Sequence, residues 1–454
     1  MTTYTLDRSV RRVGAGRVLI GGSPLKLLRL TAAGATVVDR IERREQLPAS
    51  AAAGALVDRL LDAGFIHPHH DGGPSPAELT VVIPAFGTDL ARLAAIAAAC
   101  ADAAAVIVVD DGSSPAIGAV AGATVIRRDV NGGPGAGRDS GLAAVTSALV
   151  AFVDTDVHLR AGWLDALLPH FADPRVALVA PRVASRPGAD VLARYETVRS
   201  PLDLGDEPAR VRAGTRVSYV PAACVVARTE VLRDLGGFAA DMRVGEDVDL
   251  VWRLDDAGHR VRYEPESIVH HEPRPTLRRW MRQRFDYGTS AAPLAAAHPG
   301  AVAPVRVSGW SALSWLTAAT GWPVAGGAIA AATTLALRRK LADVPDGPRQ
   351  ALRLAGLGHL YAGRSLAAAV TRAWWTIAVT LAMVSRRWRR ALLLAAIAPP
   401  AIDWFRDRPP VDPPRYIALR VLDDVSYGAG LTAGAVRARS LAALRPDFRS
   451  WPKA

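Results

Sequence analysis

Three short apolar runs, each ending in a proline or an acidic cluster, constrain this chain more than any other feature. Leu79–Ile83 stops at Pro84, Ala105–Val109 runs into Asp110-Asp-Gly-Ser113, and the apolar residues around Phe152-Val153 end at Asp154-Thr-Asp156. A helical stretch, Asp89–Ala104, separates the first two. A further short strand, Thr124–Arg127, a glycine-rich segment over 131–141 and a helix to about Leu149 precede the third. Strands alternating with helices predict a parallel α/β sheet. In such sheets ligands bind outside the carboxyl ends of the strands, where Pro84, Asp111 and Asp156 all fall. Asp154 and Asp156 are two apart, so on a strand both carboxylates face one side. Two such carboxylates repel unless a cation joins them, and a hard divalent ion shared with substrate phosphates does so.

The glycine-rich segment Asn131-Gly-Gly-Pro-Gly-Ala-Gly-Arg138 does not follow the first strand, so it is not a dinucleotide fingerprint. As a loop it lets backbone approach a diphosphate, and Arg138 adds a charged contact; a salt bridge to a nearby Asp is the competing reading. Further on, Glu246 and Asp247 open an apolar-spaced helix, whose dipole keeps a carboxylate ionised. Simple capping by acidic residues is the alternative there. Ser267-Ile-Val-His-His271 reads as a strand on which one histidine faces in and one out.

At 454 residues, half of them hydrophobic, the chain has room for two or three domains. The net charge of +12 is concentrated in residues 301–454, the rest being close to neutral. Basic and apolar together point to an anionic membrane surface rather than nucleic acid. Ser311–Leu337 is 27 residues without a charge, longer than a spanning helix needs, although Gly321, Pro323 and Gly326-Gly327 interrupt it. Ala373–Ser385 and Ala391–Ile402 are shorter apolar runs, and buried helices of a soluble subdomain fit equally. Cys100 and Cys224, both in apolar surroundings, read as buried thiols of a reducing compartment. The opening residues lack an apolar signal region, which leads us to expect a cytoplasmic catalytic part, at the cytoplasmic face of the cell membrane.

Residues 1–70 read as a small winged-helix-like domain of two strands, three helices and a closing strand. Thr31 caps one helix, and Gly64 stops another over Ala51–Ala63. Residues 71–78 are a linker, and His67, His69 and His70 read as part of that polar surface connection rather than as metal ligands. The domain resembles the PqqD-like peptide-binding domains, which hold a precursor peptide as an added strand.

The motifs of residues 79–300, Val-Ile-Pro84, Val-Val-Asp-Asp-Gly-Ser113, Asn131 to Arg138, Asp154-Thr-Asp156 and Gly245-Glu-Asp-Val-Asp-Leu250, together resemble family 2 glycosyltransferases of the GT-A fold. The resemblance implies a nucleotide-diphospho-sugar transferase with a small front domain and an apolar helical C-terminal region over 301–454. It implies that Pro84 and Asp111 contact the uracil of a UDP-sugar donor, that Arg138 lies by the diphosphate, and that Asp154 touches ribose or sugar. Asp156 would hold Mn²⁺ or Mg²⁺, with His270 preferred over His271 as its partner. Asp247, with Glu246 beside it, would act as base in an inverting transfer. Departures are Gly87, Asp139 and Thr276, the last where processive synthases carry Gln. The basic segment Thr276–Gly288 would be a lid over the diphosphate. The whole arrangement resembles the mycofactocin-system glycosyltransferases, whose acceptor is a peptide-derived redox cofactor or its precursor peptide. A membrane-associated polysaccharide or lipid glycosyltransferase and a non-enzymatic peptide carrier are the rival readings.

Overall fold

The computed structural model describes residues 2–450. These fall into two compact units: one runs to Pro187 and resumes over Arg199–Pro273, and the other joins Gly188–Val198 to the residues from Arg274 on.

The first unit opens with β1 (Thr2–Leu6), β2 (Arg11–Val13), β3 (Val18–Gly21), β4 (Lys26–Arg29), α1 (Ala32–Glu42), α2 (Ala51–Asp62) and β5 (Ile66–His70). Thr31 and Ser50 accept backbone N–H groups at the starts of α1 and α2. Gly64 turns the chain after α2 with φ +66°. Val37, Val38 and Ile41 of α1 meet Val57, Leu60 and Leu61 of α2 over Leu19, Leu28, Phe65 and Ile66, a core whose members all lie between Tyr4 and Ile66. The expected third helix is absent among the described residues. The short apolar segment Leu25–Leu30, to which the sequence assigns no element type, contributes β4, whose backbone pairs with β3 in a three-stranded meander. A second correction concerns the histidines. His67–His70 lie in β5, paired with β1, and His67 is buried against Asp7 at 2.8 Å.

The rest of this unit is built on a nine-stranded mixed sheet. Its elements are β6 (Leu79–Ala85), α3 (Leu90–Ala99), β7 (Ala105–Asp111), β8 (Thr124–Arg128), α4 (Pro134–Ala144), β9 (Leu149–Val153), β10 (Val157–His158) and β11 (Val176–Ser185). After α5 (Val191–Arg199), most of which belongs to the second unit, come β12 (Ala209–Val211), β13 (Cys224–Arg228), α6 (Thr229–Asp234), α7 (Glu246–Asp256) and β14 (Arg260–His271). The strand order is β10-β14-β11-β13-β9-β6-β7-β8, with β12 on β14. The β-branched strands are buried on both faces, as parallel strands covered by helices must be. The helices expected over 89–104 and to Leu149 end earlier, at Ala99 and Ala144, because Ala105 and Leu149 are already in strands. Cys100 and Cys224 are buried free thiols.

The second unit is helical: α8 (Leu277–Thr289), α9 (Ala291–Ala297), α10 (Gly309–Ala319), α11 (Pro323–Lys340), α12 (Gly347–Arg372), α13 (Trp375–Val384), α14 (Arg386–Asp407) and α15 (Pro413–Arg437), with β15 (Arg306–Ser308) paired to β16 (Asp447–Arg449). Helices α8 and α15 approach closely enough that a Cβ on Gly430 would collide with the carbonyl of Phe285. Arg284, Arg420 and Arg372 form a mostly buried ion network with Glu196, Asp423 and Asp424. The uncharged run Ser311–Leu337 is not one helix. It breaks at Gly321, φ +98°, into α10 and α11. Among the described residues no single helix is long and apolar enough to cross a membrane. One pair, Gly347–Arg372 with Trp375–Val384, passes by length and composition together but is bent by 86°.

Candidate active site

The carboxyl ends of β6, β7 and β9 and the start of β13 bring the acidic motifs to one edge of the sheet. Asp111, at the end of β7, accepts the N–H groups of Gly132 and Gly133 at 3.0 and 2.8 Å and pairs with Arg128 at 2.8 Å. It therefore shapes the glycine-rich loop that leads into α4. Its neighbour Asp110 is wholly buried and secures the next turn through the N–H groups of Ser113 and Ile117 and through Arg127. Pro84 meets Gly137 of α4, where an added Cβ would lie 3.2 Å from the Pro84 Cβ. A larger residue there would push the helix off the strand.

Arg138 is the hub. It is buried and donates to Asp154 at 2.7 Å and to Glu246 at 2.8 Å. Phe238 stacks below its guanidinium, 5.3 Å from ring to charge. Of the two sequence readings for Arg138, this geometry is the salt bridge, made to Asp154 and to Glu246 108 residues further on. Burial would lower the Arg138 pKa, but the charges of Asp154 and Glu246 outweigh it and hold the group cationic. Burial raises Asp154 against the opposing pull of Arg138, and nearby Asp156 raises it further.

Gly245 lets the chain enter α7 through φ +89°. Glu246 and Asp247 follow in the first turn. Asp247 accepts the N–H of Ala222 at 3.3 Å and that of Val248 at 2.8 Å. Burial raises both carboxyls, and Asp247 adds repulsion at Glu246.

The carboxylates of Asp154 and Asp156 do not share a strand face. Both residues lie in the turn beyond β9, and their side chains have different partners. Asp156 lies 3.1 Å from the Nε2 of His271. Here the preference for His270 is corrected. Strand β14 pairs His271 with Val157, next to Asp156, whereas His270 lies among Arg160, His158 and Arg186. Three extra residues in β14, opposite Pro181/Arg182, set which histidine faces in, and the local sequence carries no sign of that shift.

Three carboxylates, Asp154, Glu246 and Asp247, surround one arginine, and Asp156 stands beside Asp154, an acidic grouping that suits a divalent cation. Among the described residues no three metal-ligating side chains converge into a protein-only cage. Asp156 with His271 therefore fits an ion that takes its remaining ligands from a bound diphosphate and water. Trp280 and Arg284, read as part of a lid, are buried in the helical unit, both bonded to Glu196. Thr276 caps α8 by accepting the N–H of Arg279 at 3.3 Å. Asp139 accepts the N–H of Phe238 at 2.9 Å, a structural role.

Residues 149–401 match the family model described as glycosyl transferase family group 2. The chain is 41% identical over 466 residues to the pre-mycofactocin glycosyltransferase of Mycobacterium tuberculosis, strain CDC 1551 / Oshkosh, covering 98% of this chain and 97% of the relative. The protein of the same name from strain ATCC 25618 / H37Rv matches equally. The chain belongs to glycosyl transferase family group 2. This family member is thus an enzyme that transfers sugar, and its nine-stranded sheet is the α/β core expected of the GT-A fold. Similar solved structures include the mannosyltransferase PcManGT of Pyrobaculum calidifontis in complex with GDP-Man and Mn2+, at TM-score 0.37 and 17% identity, covering 64% of this chain and 90% of that one. GalNAc-T7 with UDP, GalNAc and Mn2+ has TM-score 0.32 and 16% identity, covering 49% and 52%. In this glycosyltransferase the sequence named His271 only as the second choice, and it missed Arg128 and the Asp423-Asp424 network. Of those two, only the acidic pair 423–424 carried a local signal.

Proposed function

We propose that this glycosyltransferase moves a hexose, glucose in β linkage, from a UDP-sugar onto a peptide-derived redox cofactor, mycofactocin or its precursor. The observation that carries the acceptor is the full-length likeness to a relative named pre-mycofactocin glycosyltransferase. Pro84 and Asp111 hold the uracil, and the glycine-rich loop with Arg138 lies by the diphosphate. Asp154, fixed by Arg138, turns to the ribose or sugar. Asp156 and His271 would hold Mn²⁺ or Mg²⁺, which when bound offsets the charge developing on the leaving diphosphate. Asp247 takes the proton of the acceptor hydroxyl as its oxygen bonds to the anomeric carbon. The bond to the UDP oxygen breaks on the opposite face, so configuration inverts. Residues 1–70 bind the precursor peptide or its processed product as an added strand.

Mass spectrometry after incubation with UDP-glucose and the precursor tests this reading. The expected result is a hexose mass increment that requires a divalent ion and disappears in Asp156→Ala. Transfer that persists in excess chelator would remove the metal role. An increment on lipid or glycan but never on the precursor would overturn the acceptor.

A further inference from the structure

The helical unit contains a second surface with its own chemistry. Helices α10 and α11 form one hairpin, broken at Thr320–Trp322, and α13 and α14 form another, broken at Ser385. Arg387 joins the two breaks by donating to the carbonyl of Thr320 at 3.4 Å. Around that contact the chain exposes apolar side chains to an unusual degree: Trp322 68%, Val324 86%, Met383 76% and Val384 80%. Arg386, Arg387, Arg389 and Arg390 are exposed beside Met383 and Val384. No Asp or Glu occurs in the sequence between Asp346 and Asp403, a stretch that holds eight arginines.

We propose that this shared end of the two hairpins seats the protein in the plane of an anionic lipid surface without crossing it. The apolar residues would enter the boundary between headgroups and chains, with Trp322 at headgroup level. The arginines would meet lipid phosphates, their alkyl stems lying along the apolar layer. Helix α13 has 10 residues, about 15 Å of rise, half of the ~30 Å a hydrocarbon core requires. A second copy of the chain is disfavoured as the occupant. A symmetric contact would press the arginines of one tip against those of the other, with no carboxylate nearby in the sequence. A nucleic acid would pair with the arginines but leave four apolar side chains against phosphate and water.

The test is co-flotation of the full chain with vesicles of phosphatidylcholine, alone or mixed with phosphatidylglycerol. Binding is expected only to the mixed vesicles, weakened by salt and released by alkaline carbonate. Two variants probe the tip, one carrying Trp322→Ser and Met383→Ser, the other Arg386→Glu and Arg390→Glu. The arginine variant should lower partitioning about tenfold or more, given roughly 1 kcal/mol per basic residue near such a surface, and the serine variant by a similar factor through lost apolar burial. The control is Val436→Ser on α15. Val436 is also exposed but lies near the start of α13, where Trp375 meets Thr432. Its partitioning should equal wild type. All variants change exposed side chains, and an unchanged melting temperature certifies the fold. Salt-independent binding to phosphatidylcholine alone would overturn the proposal. So would retention after carbonate, or full binding by both tip variants. A wild type that stays off vesicles but forms a dimer abolished by the tip variants would assign the surface to a second copy.

Discussion

Arg138 ties Asp154 to Glu246 and so fixes the distance between the two acidic motifs. The neighbouring Asp247 is freer to act, since its bonds are to two backbone N–H groups. Burial raises its pKa, so the folded protein keeps the proton to higher pH than an unfolded chain does. The basic form is then present only above that raised value. The acid limb of kcat/KM is therefore expected above the ordinary Asp value of about 3.9. Asp247→Asn should remove that limb and lower kcat by ~10²–10⁴ while donor binding is kept. A pH–rate series with donor titration checks both; wild-type turnover would leave Asp247 a helix cap. The acidic pairs were legible because each lies within three consecutive residues. The choice of His271 over His270 was not, because it depends on extra residues in β14 facing a strand more than eighty positions away.

At the scale of elements, the sequence predicts a helix or strand well where propensity and burial agree, as in the strands around Val82, Val108 and Phe152. It fails where a partner decides. Leu25–Leu30 became a strand through pairing with β3, and the uncharged run from Ser311 folded back at Gly321. The α8–α15 crossing is likewise invisible in hydropathy, because its glycines matter for their missing Cβ. Gly430→Ala should lower stability by roughly 1–3 kcal/mol or more, since backbone must move. In Gly327→Ala, on α11, an added Cβ meets nothing within 4 Å. That change should stabilise by about 0.5–1 kcal/mol through helix propensity. Thermal melts of the two variants check the contrast; equal shifts would mean the crossing is looser than described.

On the scale of the molecule, the front domain is more than a tethered module. Arg260 of β14, itself buried, pairs with Asp58, Asp62 and Asp173 at 2.7, 2.9 and 2.8 Å. Arg262, fully buried, reaches His67 at 3.1 Å, and Arg216 reaches Asp7 at 3.1 Å. Composition alone suggested a polar linker here, because the arginines that bury those residues come from far along the chain. Deleting residues 1–70 would take Asp58 and Asp62 from Arg260, leaving it Asp173, and His67 from Arg262, so two buried guanidinium groups would lose hydrogen-bond partners, a change that destabilises. The truncated chain is expected to melt well below the full one. The double variant Asp58→Asn, Asp62→Asn should reproduce part of that loss. An unchanged melting temperature in both would make the contact incidental. Peptide binding is accordingly better tested on the intact chain than by truncation.

The same contact has a consequence for synthesis. Asp58 and Arg260 lie 202 residues apart. At roughly 5–20 residues per second, the acidic face leaves the ribosome about 10–40 s before its arginine partner. The front domain owns its hydrophobic core, so it can fold during that wait. Its negative face then stands open to the emerging, arginine-bearing strands of the sheet. The order of the two parts along the gene thus lets a finished domain serve as the template on which the edge of the transferase assembles.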